Sequence, residues 1–188
     1  MRDRIKVKGM VTVRVIDKDG NIKRRPGWGL LRVVPFRWFD FRGRPMEQRF
    51  HNIVTREGDA LIADALLASP TKAKVTSGTG YIQVGTGWTG NGAKSNNRCN
   101  TPTGSMVALD ASHPVLKAAW GSTGDTTLIY RASFAAGSLN VNGINEACLI
   151  NGNAANSISL AYAQITPVVN VTSSDTLQIQ WEITILGQ

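Results

Sequence analysis

The chain has few of the residues from which metal sites and nucleophilic active sites are built. Its 188 residues include two cysteines and two histidines, and their spacing is not typical of a zinc site. Two cysteines are also too few for a disulfide framework. Cys99 lies in a polar stretch and Cys148 in an apolar run, so we expect two free thiols. The sequence predicts no metal, no cofactor and no catalytic residues, and therefore a protein that is not an enzyme.

Long hydrophobic runs are absent as well. No apolar run approaches the ~18 residues that a membrane-spanning helix requires. The first ten residues, MRDRIKVKGM, carry charges but no apolar core, so we do not expect a signal peptide. We therefore expect no membrane partner, and we expect a protein that is made in the cytoplasm and leaves it only inside a larger assembly.

Acidic residues are outnumbered, and the excess of positive charge lies in the first part of the chain. The net charge is +8. Residues 1–74 hold 17 Lys or Arg against 8 Asp or Glu, whereas residues 75–188 hold 4 against 5. A basic segment can meet nucleic acid, an anionic surface or an acidic protein. We rank a solvated arm or a protein partner above nucleic acid, because charge runs alone are weak signals.

The sequence does contain segments in which apolar and polar residues alternate. Residues 175–186 place one apolar row opposite one polar row, which is the pattern of a half-buried antiparallel strand. The apolar row is Leu177, Ile179, Trp181, Ile183 and Ile185. Further strands are predicted at 81–84, 105–109, 126–134, 143–150 and 157–171. Their spacing predicts a mainly β fold, an antiparallel β-sandwich or jelly-roll-like domain.

One amphipathic helix is predicted at about 55–68. Thr55 can cap it, and Glu57 and Asp59 place negative charge in its first turn, where the helix dipole favours it. Its apolar stripe is Leu61, Ile62, Ala65 and Leu66. We expect such a helix to cover one end or one face of a sheet.

The segment before the helix is basic and rich in aromatic residues. Residues 6–16 alternate loosely, and residues 17–20 predict a hairpin turn into a return strand over 21–25. The arginines and aromatics that follow are typical of protein interfaces and of nucleic-acid binding. We divide the chain into an extended basic arm or hairpin at 1–49 and a β-sandwich domain at 50–188. The predicted interface residues are Trp28, Arg32, Phe36, Arg37, Trp38, Phe39, Phe41, Arg42 and Arg44.

One glycine-rich stretch resembles a nucleotide-binding motif. Gly85, Gly87 and Gly90 form a G-x-G-x-x-G directly after a predicted strand. In a dinucleotide site a helix must follow, because its N-terminus supplies the amide donors for the pyrophosphate. The residues after Gly90 have no helical apolar period, so the sequence argues against nucleotide binding.

Two further groups contain residue types that can act in catalysis. His113 lies near Asp110 and Ser112, but side chains this close in a loop seldom form a triad, and no nucleophile elbow is present. Glu146 is flanked by apolar residues, which makes it the carboxylate best suited to burial. A structural role explains these residues better than catalysis does.

Five short blocks along the chain share a family likeness. They are HNIVTREG at 51–58, YIQVGTG at 81–87, TLIYRASF at 127–134, INEACLI at 144–150 and SDTLQIQW at 174–181. Together they resemble small structural proteins of tailed bacteriophages, including tail-fibre attachment domains and head- or tail-associated accessory proteins. The resemblance covers residues 50–186, whereas the basic stretch 1–49 departs from a compact fibre-attachment domain. It implies a non-enzymatic virion component that acts by assembling.

This resemblance implies a virion protein, made in the host cytoplasm, that assembles symmetrically as a decoration, adaptor or collar-like component through its N-terminal arm. Its expected partners are other copies of itself and capsid, portal or tail proteins. One alternative is a tail-fibre, receptor-binding or carbohydrate-binding module that uses exposed aromatics such as Trp88 and Trp120. A second is a nucleic-acid-binding protein whose affinity falls steeply with salt. The loop at 85–104 is a predicted second contact.

Overall fold

The chain folds mainly into antiparallel strands. This computed structural model describes residues 5–25, 44–88, 90, 94–95 and 97–187. Their elements, in chain order, are β1 (Ile5–Ile16), β2 (Arg24–Arg25), β3 (Arg44–Pro45), β4 (Glu47–His51), β5 (Ile53–Val54), α1 (Arg56–Ala65), β6 (Tyr81–Gly85), β7 (Pro102–Ala108), β8 (Val115–Leu116), β9 (Thr127–Phe134), β10 (Val141–Ile150), β11 (Ser159–Val171) and β12 (Thr176–Gly187).

Two five-stranded sheets pack as a sandwich. The first sheet has the strand order β4-β1-β12-β9-β8, the second has the order β5-β11-β10-β6-β7, and a separate short ladder joins β2 to β3. One hydrophobic cluster draws on both sheets. Its most deeply buried members include Val11, Val15, Phe134, Ile179 and Trp181 from the first sheet and Ile82, Ile144, Leu149 and Ile165 from the second. The prediction of a mainly β, antiparallel sandwich with one helix is confirmed.

The alternating C-terminal strand lies at the centre of the first sheet. β12 pairs with β1 over twelve residues and with β9 over eight. Leu177, Ile179 and Trp181 are completely buried, whereas the intervening Gln178 and Gln180 are half-buried. The predicted alternation is therefore confirmed, and Ile185 lies half-buried near the end of the strand.

The N-terminal strand corrects the predicted division of the chain at residues 49 and 50. β1 is a strand of the sandwich, between β12 and β4, and Val11, Val13 and Val15 are buried in its core. The described part of residues 1–49 is therefore not an arm separate from the sandwich. The reason is physical: β12 is apolar enough to need a strand on each side, and the valines of β1 supply one of them.

The turn predicted after β1 is present. The Oδ1 atom of Asp17 accepts hydrogen bonds from the backbone amides of Asp19 and Asn21, both at 3.0 Å. Gly20 has a φ of +80°, which a glycine adopts without the steric penalty of a side chain. This turn reverses the chain and sends residues 21–25 back along β1.

The returning chain runs beside the end of β1 and pairs with β3. The backbone amide of Lys23 donates to the carbonyl of Val15 at 2.8 Å, so the return runs alongside the C-terminal end of β1. Arg24 of β2 then pairs with Pro45 of β3. Arg25 and Arg44, the residues that flank 26–43 in the sequence, therefore lie opposite each other.

The helix begins as predicted and ends earlier. Thr55 is the N-cap, and its hydroxyl oxygen accepts a hydrogen bond from the amide of Gly58 at 2.8 Å. Of the predicted apolar stripe, Leu61 is buried and Ile62 half-buried, whereas Leu66 is 78% exposed. The stripe is incomplete because α1 packs closely on β11 through its N-terminal half, where Gly58 is buried.

We expect Gly58→Ala to destabilise the protein, although alanine is the better helix former. A Cβ atom here would lie 2.1 Å from the carbonyl oxygen of Leu160 in β11, so the helix or the strand must move. Overpacking typically costs about 1–3 kcal/mol, more than the ~1 kcal/mol that helix propensity returns. Urea unfolding measures the difference. The control is Ala60→Gly, which lies at an exposed position of α1 and therefore reports helix propensity alone. A Gly58→Ala protein more stable than the wild type would contradict the close packing.

Asp175 ties the returning chain to the turn between β11 and β12. Its carboxylate accepts hydrogen bonds from Lys23 Nζ at 2.6 Å and from the amide and hydroxyl of Thr172 at 2.9 and 2.7 Å. Burial raises the pKa of Asp175, but these hydrogen bonds favour the ionised form more strongly and hold the pKa below its ordinary value.

This lowered pKa predicts how stability depends on pH. The unfolded carboxyl titrates near about pH 3.9, so the ionised group stabilises the fold above that value, and the contribution is lost as the pH falls through the lower folded pKa. We expect Asp175→Asn to lower the free energy of unfolding by about 1–3 kcal/mol at pH 7 and by progressively less below about pH 4. Chemical unfolding at several pH values measures this, with the exposed Asp19→Asn as control. A difference that does not change with pH would rule the linkage out.

Candidate functional site

Nearly all of the predicted interface residues lie outside the described residues. They are Trp28, Arg32, Phe36, Arg37, Trp38, Phe39, Phe41 and Arg42. Arg44 is described through its backbone, which pairs with Arg25 in the β2–β3 ladder. The interface role of all nine residues stays a prediction.

Within the described residues, the densest polar cluster surrounds Glu146 of β10. This carboxylate is completely buried. Its Oε1 accepts hydrogen bonds from the amides of Gly87 and Thr101, and its Oε2 accepts one from the amide of Asn100, each at 3.0 Å. The hydroxyl of Tyr162 also donates to Oε2. Four donors thus stabilise a buried negative charge.

Tyr162 and Trp88 extend this cluster. Tyr162 is completely buried on β11, and burial, followed by its hydrogen bond to Glu146, raises the pKa of the phenol. The ring of Trp88 stacks on that of Tyr162 with centroids 5.5 Å apart and planes 22° apart. The amide of Trp88 donates to Asn145 Oδ1 at 2.9 Å. Residues 86–88 are therefore held against the outer face of the second sheet.

The two cysteines meet in the same layer. Their Sγ atoms lie 3.4 Å apart as free thiols, both buried. Burial, together with the hydrogen bond to Cys148, raises the pKa of the Cys99 thiol well above its ordinary value. A thiol with little thiolate at neutral pH is a poor nucleophile, so Cys99 is unsuited to covalent catalysis in this state.

The glycine-rich stretch has a structural explanation. A Cβ atom on Gly85 would lie 2.5 Å from Glu146 Oε1, and one on Gly87 would lie 2.4 Å from Thr101 Oγ1. The loop backbone can approach the carboxylate only because both side chains are absent. Of the amides in this stretch, that of Gly87 donates to Glu146 and that of Trp88 donates to Asn145, so these two amides bind side chains of the protein itself.

The suspected triad does not form. The carboxylate of Asp110 accepts from Arg131 Nε at 2.7 Å and from Ser133 Oγ at 3.1 Å. His113 Nδ1 lies 3.2 Å from the carbonyl oxygen of Ala111, so it faces the backbone. The groups suspected of catalysis are engaged in local structure.

The two tryptophans suggested as ligand platforms differ in exposure. Trp88 is half-buried against Tyr162, whereas the side chain of Trp120, in the turn between β8 and β9, is 87% exposed. The predicted second contact at 85–104 is likewise only partly open, because Cys99 in it is buried while Lys94 is exposed. Trp120 is thus the more accessible of the two aromatics.

An apolar pocket of about 330 Å³ lies where α1 ends. We call it the helix-end pocket. Its apolar walls are Leu61, Ile62, Ala65, Leu66, Val75, Pro114, Leu128, Tyr130, Leu160 and Ile185, which come from the helix and both sheets. Lys72 and Lys74 also line it, and both residues are exposed. Predominantly apolar concavities of this size are typical of binding sites.

The one carboxylate in the lining is already engaged. Asp64 accepts hydrogen bonds from the amide and hydroxyl of Thr71 and from the amide of Lys72. The Lys72 amide, followed by the Thr71 hydroxyl, lowers the pKa of this carboxyl group. The charge of Lys72 lowers the same pKa further, so Asp64 is engaged with the residues that follow the helix.

The sequence interpretation missed this pocket. The signal that could have found it is the pair Leu66 and Leu67 at the end of the helix, exposed by 78% and 56%, followed at once by Lys72 and Lys74. Large exposed aliphatic side chains beside basic residues indicate a contact surface. The rest of the lining comes from distant strands that a local pattern does not connect.

Comparisons with protein-family models, with curated protein sequences and with solved structures give no match to this chain. Within the part of the chain that the structure describes, no helix is long and apolar enough to cross a membrane. The same residues contain no group of three or more His, Cys, Asp or Glu side chains placed to hold a metal ion.

We expect Glu146→Gln to loosen the loop over the second sheet. The substituted side chain would present an NH2 donor where the backbone amides of the loop need an acceptor. Each donor left without an acceptor costs about 1–3 kcal/mol. Hydrogen exchange should accelerate at Gly87, Asn100 and Thr101 more than in the core strands. Glu182→Gln is the matched control, because Glu182 pairs with Lys117 at the surface. Unchanged exchange at all three amides would show that Glu146 does not hold the loop.

Proposed function

We propose that this protein is a non-enzymatic structural component of a tailed-bacteriophage virion. It assembles symmetrically with copies of itself, and with capsid, portal or tail proteins, as a decoration, adaptor or collar-like piece. The segment 26–43 supplies the main contact. The observation that carries the proposal is the position of the residues that flank this segment. Its 18 residues, rich in aromatics and arginine, lie in sequence between β2 and β3, which pair with each other beside the β-sandwich body.

The body supports a role in assembly better than a role in catalysis. Its buried carboxylate, Glu146, is enclosed by four donors, and Asp110 is paired with Arg131. A rigid sandwich offers a preformed surface at low entropic cost, and aromatic side chains with arginine are enriched at binding hot spots. Weak contacts repeated around a symmetric assembly become strong through multivalency.

The second candidate function is carbohydrate or receptor binding. The observation that favours it is Trp120, whose side chain is 87% exposed in a turn next to Gly121. An exposed aromatic ring can stack on an apolar ligand face. A glycan screen of the wild type and of Trp120→Ala tests this candidate. Glycan binding that is unchanged in the variant would show that Trp120 is not the binding residue.

The assembly proposal predicts that the aromatic side chains of 26–43 control oligomeric mass. Replacing Trp38, Phe39 and Phe41 together by Ala should weaken self-association at least ~100-fold, since interface anchors contribute about 2 kcal/mol or more each. Sedimentation velocity and light scattering should then show the 20.3 kDa monomer at concentrations where the wild type is an oligomer. Trp120→Ala is the control for loss of an exposed aromatic elsewhere.

Two results would contradict the proposal. One is a wild-type protein that stays monomeric at high concentration, alone and with virion partners. The other is a triple variant with the oligomeric mass of the wild type. Salt titration in the presence of DNA or RNA separates the nucleic-acid alternative, because phosphate contacts make binding weaken steeply with salt.

A further inference from the structure

The two free thiols join parts of the chain that are far apart in sequence. Cys148 lies on β10, where it pairs with Gln83 of β6. The amide of Cys99 donates to Gln83 Oε1 at 3.3 Å, and its thiol donates to the Gln83 carbonyl at 3.5 Å. The two Sγ atoms lie 3.4 Å apart, although the cysteines are separated by 49 positions in the sequence. The fold itself therefore brings the pair together.

The surroundings hold the two sulfur atoms against each other. Cys148 is completely buried and Cys99 is 4% exposed, and both pack in a small cluster with Ile150 and Tyr162. Cys148 is fixed on a strand that has a neighbour on each side, whereas Cys99 lies outside the strands, in the stretch that precedes β7. Because the sulfur atoms are already in contact, a small movement of the Cys99 side chain brings them within bonding distance.

We propose that Cys99 and Cys148 form a modification site, at which a low-molecular-weight disulfide converts the two thiols into one intramolecular disulfide. The new bond fixes residues 99–101, which hydrogen bonds hold in the reduced protein, covalently to β10. Disulfides persist in oxidising environments and are rare where glutathione keeps thiols reduced. The site therefore responds to the redox conditions around the protein. This inference goes beyond the proposed assembly function and does not depend on it.

The reaction is an ordinary thiol–disulfide exchange in two steps. The Cys99 thiolate attacks one sulfur of the small disulfide, whose S–S bond breaks, and the first small thiol leaves and takes up a proton. Cys148 then loses its proton and attacks the Cys99 sulfur of the mixed disulfide, which releases the second small thiol. The two protein thiols thus lose two electrons and two protons, and the small disulfide gains them as two thiols.

The loop must open before the first step can occur. Burial raises the pKa of the Cys99 thiol, so the closed protein holds little of the reactive thiolate. The residues that follow Cys99 keep it closed, because the amides of Asn100 and Thr101 donate to Glu146 at 3.0 Å. On the other side, Arg98 Nη2 donates to the carbonyls of Ala154 and Ser157 at 3.0 and 2.9 Å. The buried glutamate therefore controls how fast the thiols react.

The cross-link stabilises the fold. Closing a long loop in the unfolded chain removes conformational entropy from it, and 49 positions separate the two cysteines. By the same linkage, a fold that holds the two sulfur atoms in contact favours the disulfide more than the unfolded chain does. We expect the midpoint of urea unfolding to rise when the protein is oxidised and to return when it is reduced.

The test uses the full-length protein and oxidised glutathione as the probe. The native protein is equilibrated in buffers of set ratios of oxidised to reduced glutathione, then alkylated in denaturant and digested for mass spectrometry. We expect a chain about 2 Da lighter, with no free thiol and one cross-link between the peptides that carry Cys99 and Cys148. The equilibrium constant for oxidation should be at least ~10-fold larger for the native protein than for the same chain in urea.

Three results would overturn the inference. One is a native protein that keeps both thiols in buffers that oxidise the urea-unfolded chain. Another is a protein that carries glutathione adducts but no cross-link. The third is a bond between two copies, which a non-reducing gel shows as a doubling of the 20.3 kDa mass. Cys99→Ser and Cys148→Ser are the controls, because neither variant can form the cross-link and the rise in the unfolding midpoint should vanish in both.

The control of the reaction by Glu146 has its own measurement. Glu146→Gln weakens the hold on Asn100 and Thr101, so we expect oxidation at least ~10-fold faster than in the wild type under the same native conditions. Glu182→Gln, which changes a surface ion pair with Lys117, should leave the rate unchanged. Circular dichroism confirms that both variants are folded. Equal rates in the wild type and in folded Glu146→Gln would show that the loop does not limit the reaction.

Discussion

The ladder between β1 and β12 is the contact on which the rest of the described structure depends. It joins the two ends of the chain over twelve residues and gives β12 its second neighbour. With Val11, Val13 and Val15 in the core, the N-terminal strand cannot act as a separate arm. The aromatic residues between Trp28 and Phe41 therefore lie, in sequence, between β2 and β3, whose pairing brings the flanking residues Arg25 and Arg44 together.

A second constraint is the burial of Glu146. A charge in the interior must be hydrogen-bonded, and three of the four donors here are loop amides, which come close because Gly85 and Gly87 have no side chains. The carboxylate thus organises residues 86–88 and 99–101 over the outer face of the second sheet. Two of the glycines that resemble a nucleotide-binding motif, Gly85 and Gly87, therefore serve the protein's own carboxylate.

Much of the fold could be predicted from the sequence, whereas little of the candidate site could. Period-two alternation located β12, and Thr55 marked the start of α1, because both signals are local. β1 was assigned to an arm because Lys6, Lys8 and Arg14 obscure its valines, and their burial depends on pairing with a strand some 170 residues away. The helix-end pocket combines residues from 61 to 185, so its geometry exists only after the sheets have packed.

Continuous strands join the two ends of the sandwich, as the twelve-residue ladder between β1 and β12 shows. Such a sandwich is rigid along its strands, because moving one end relative to the other requires breaking a ladder of hydrogen bonds. Groups at the two ends of the β1–β12 ladder are therefore held at a fixed distance from each other. In the proposed assembly, the second part of the chain sets the geometry and the aromatic segment supplies the adhesion. Residues 75–188 carry almost no net charge. This fits a part of the protein that acts through its shape rather than through an electrostatic field.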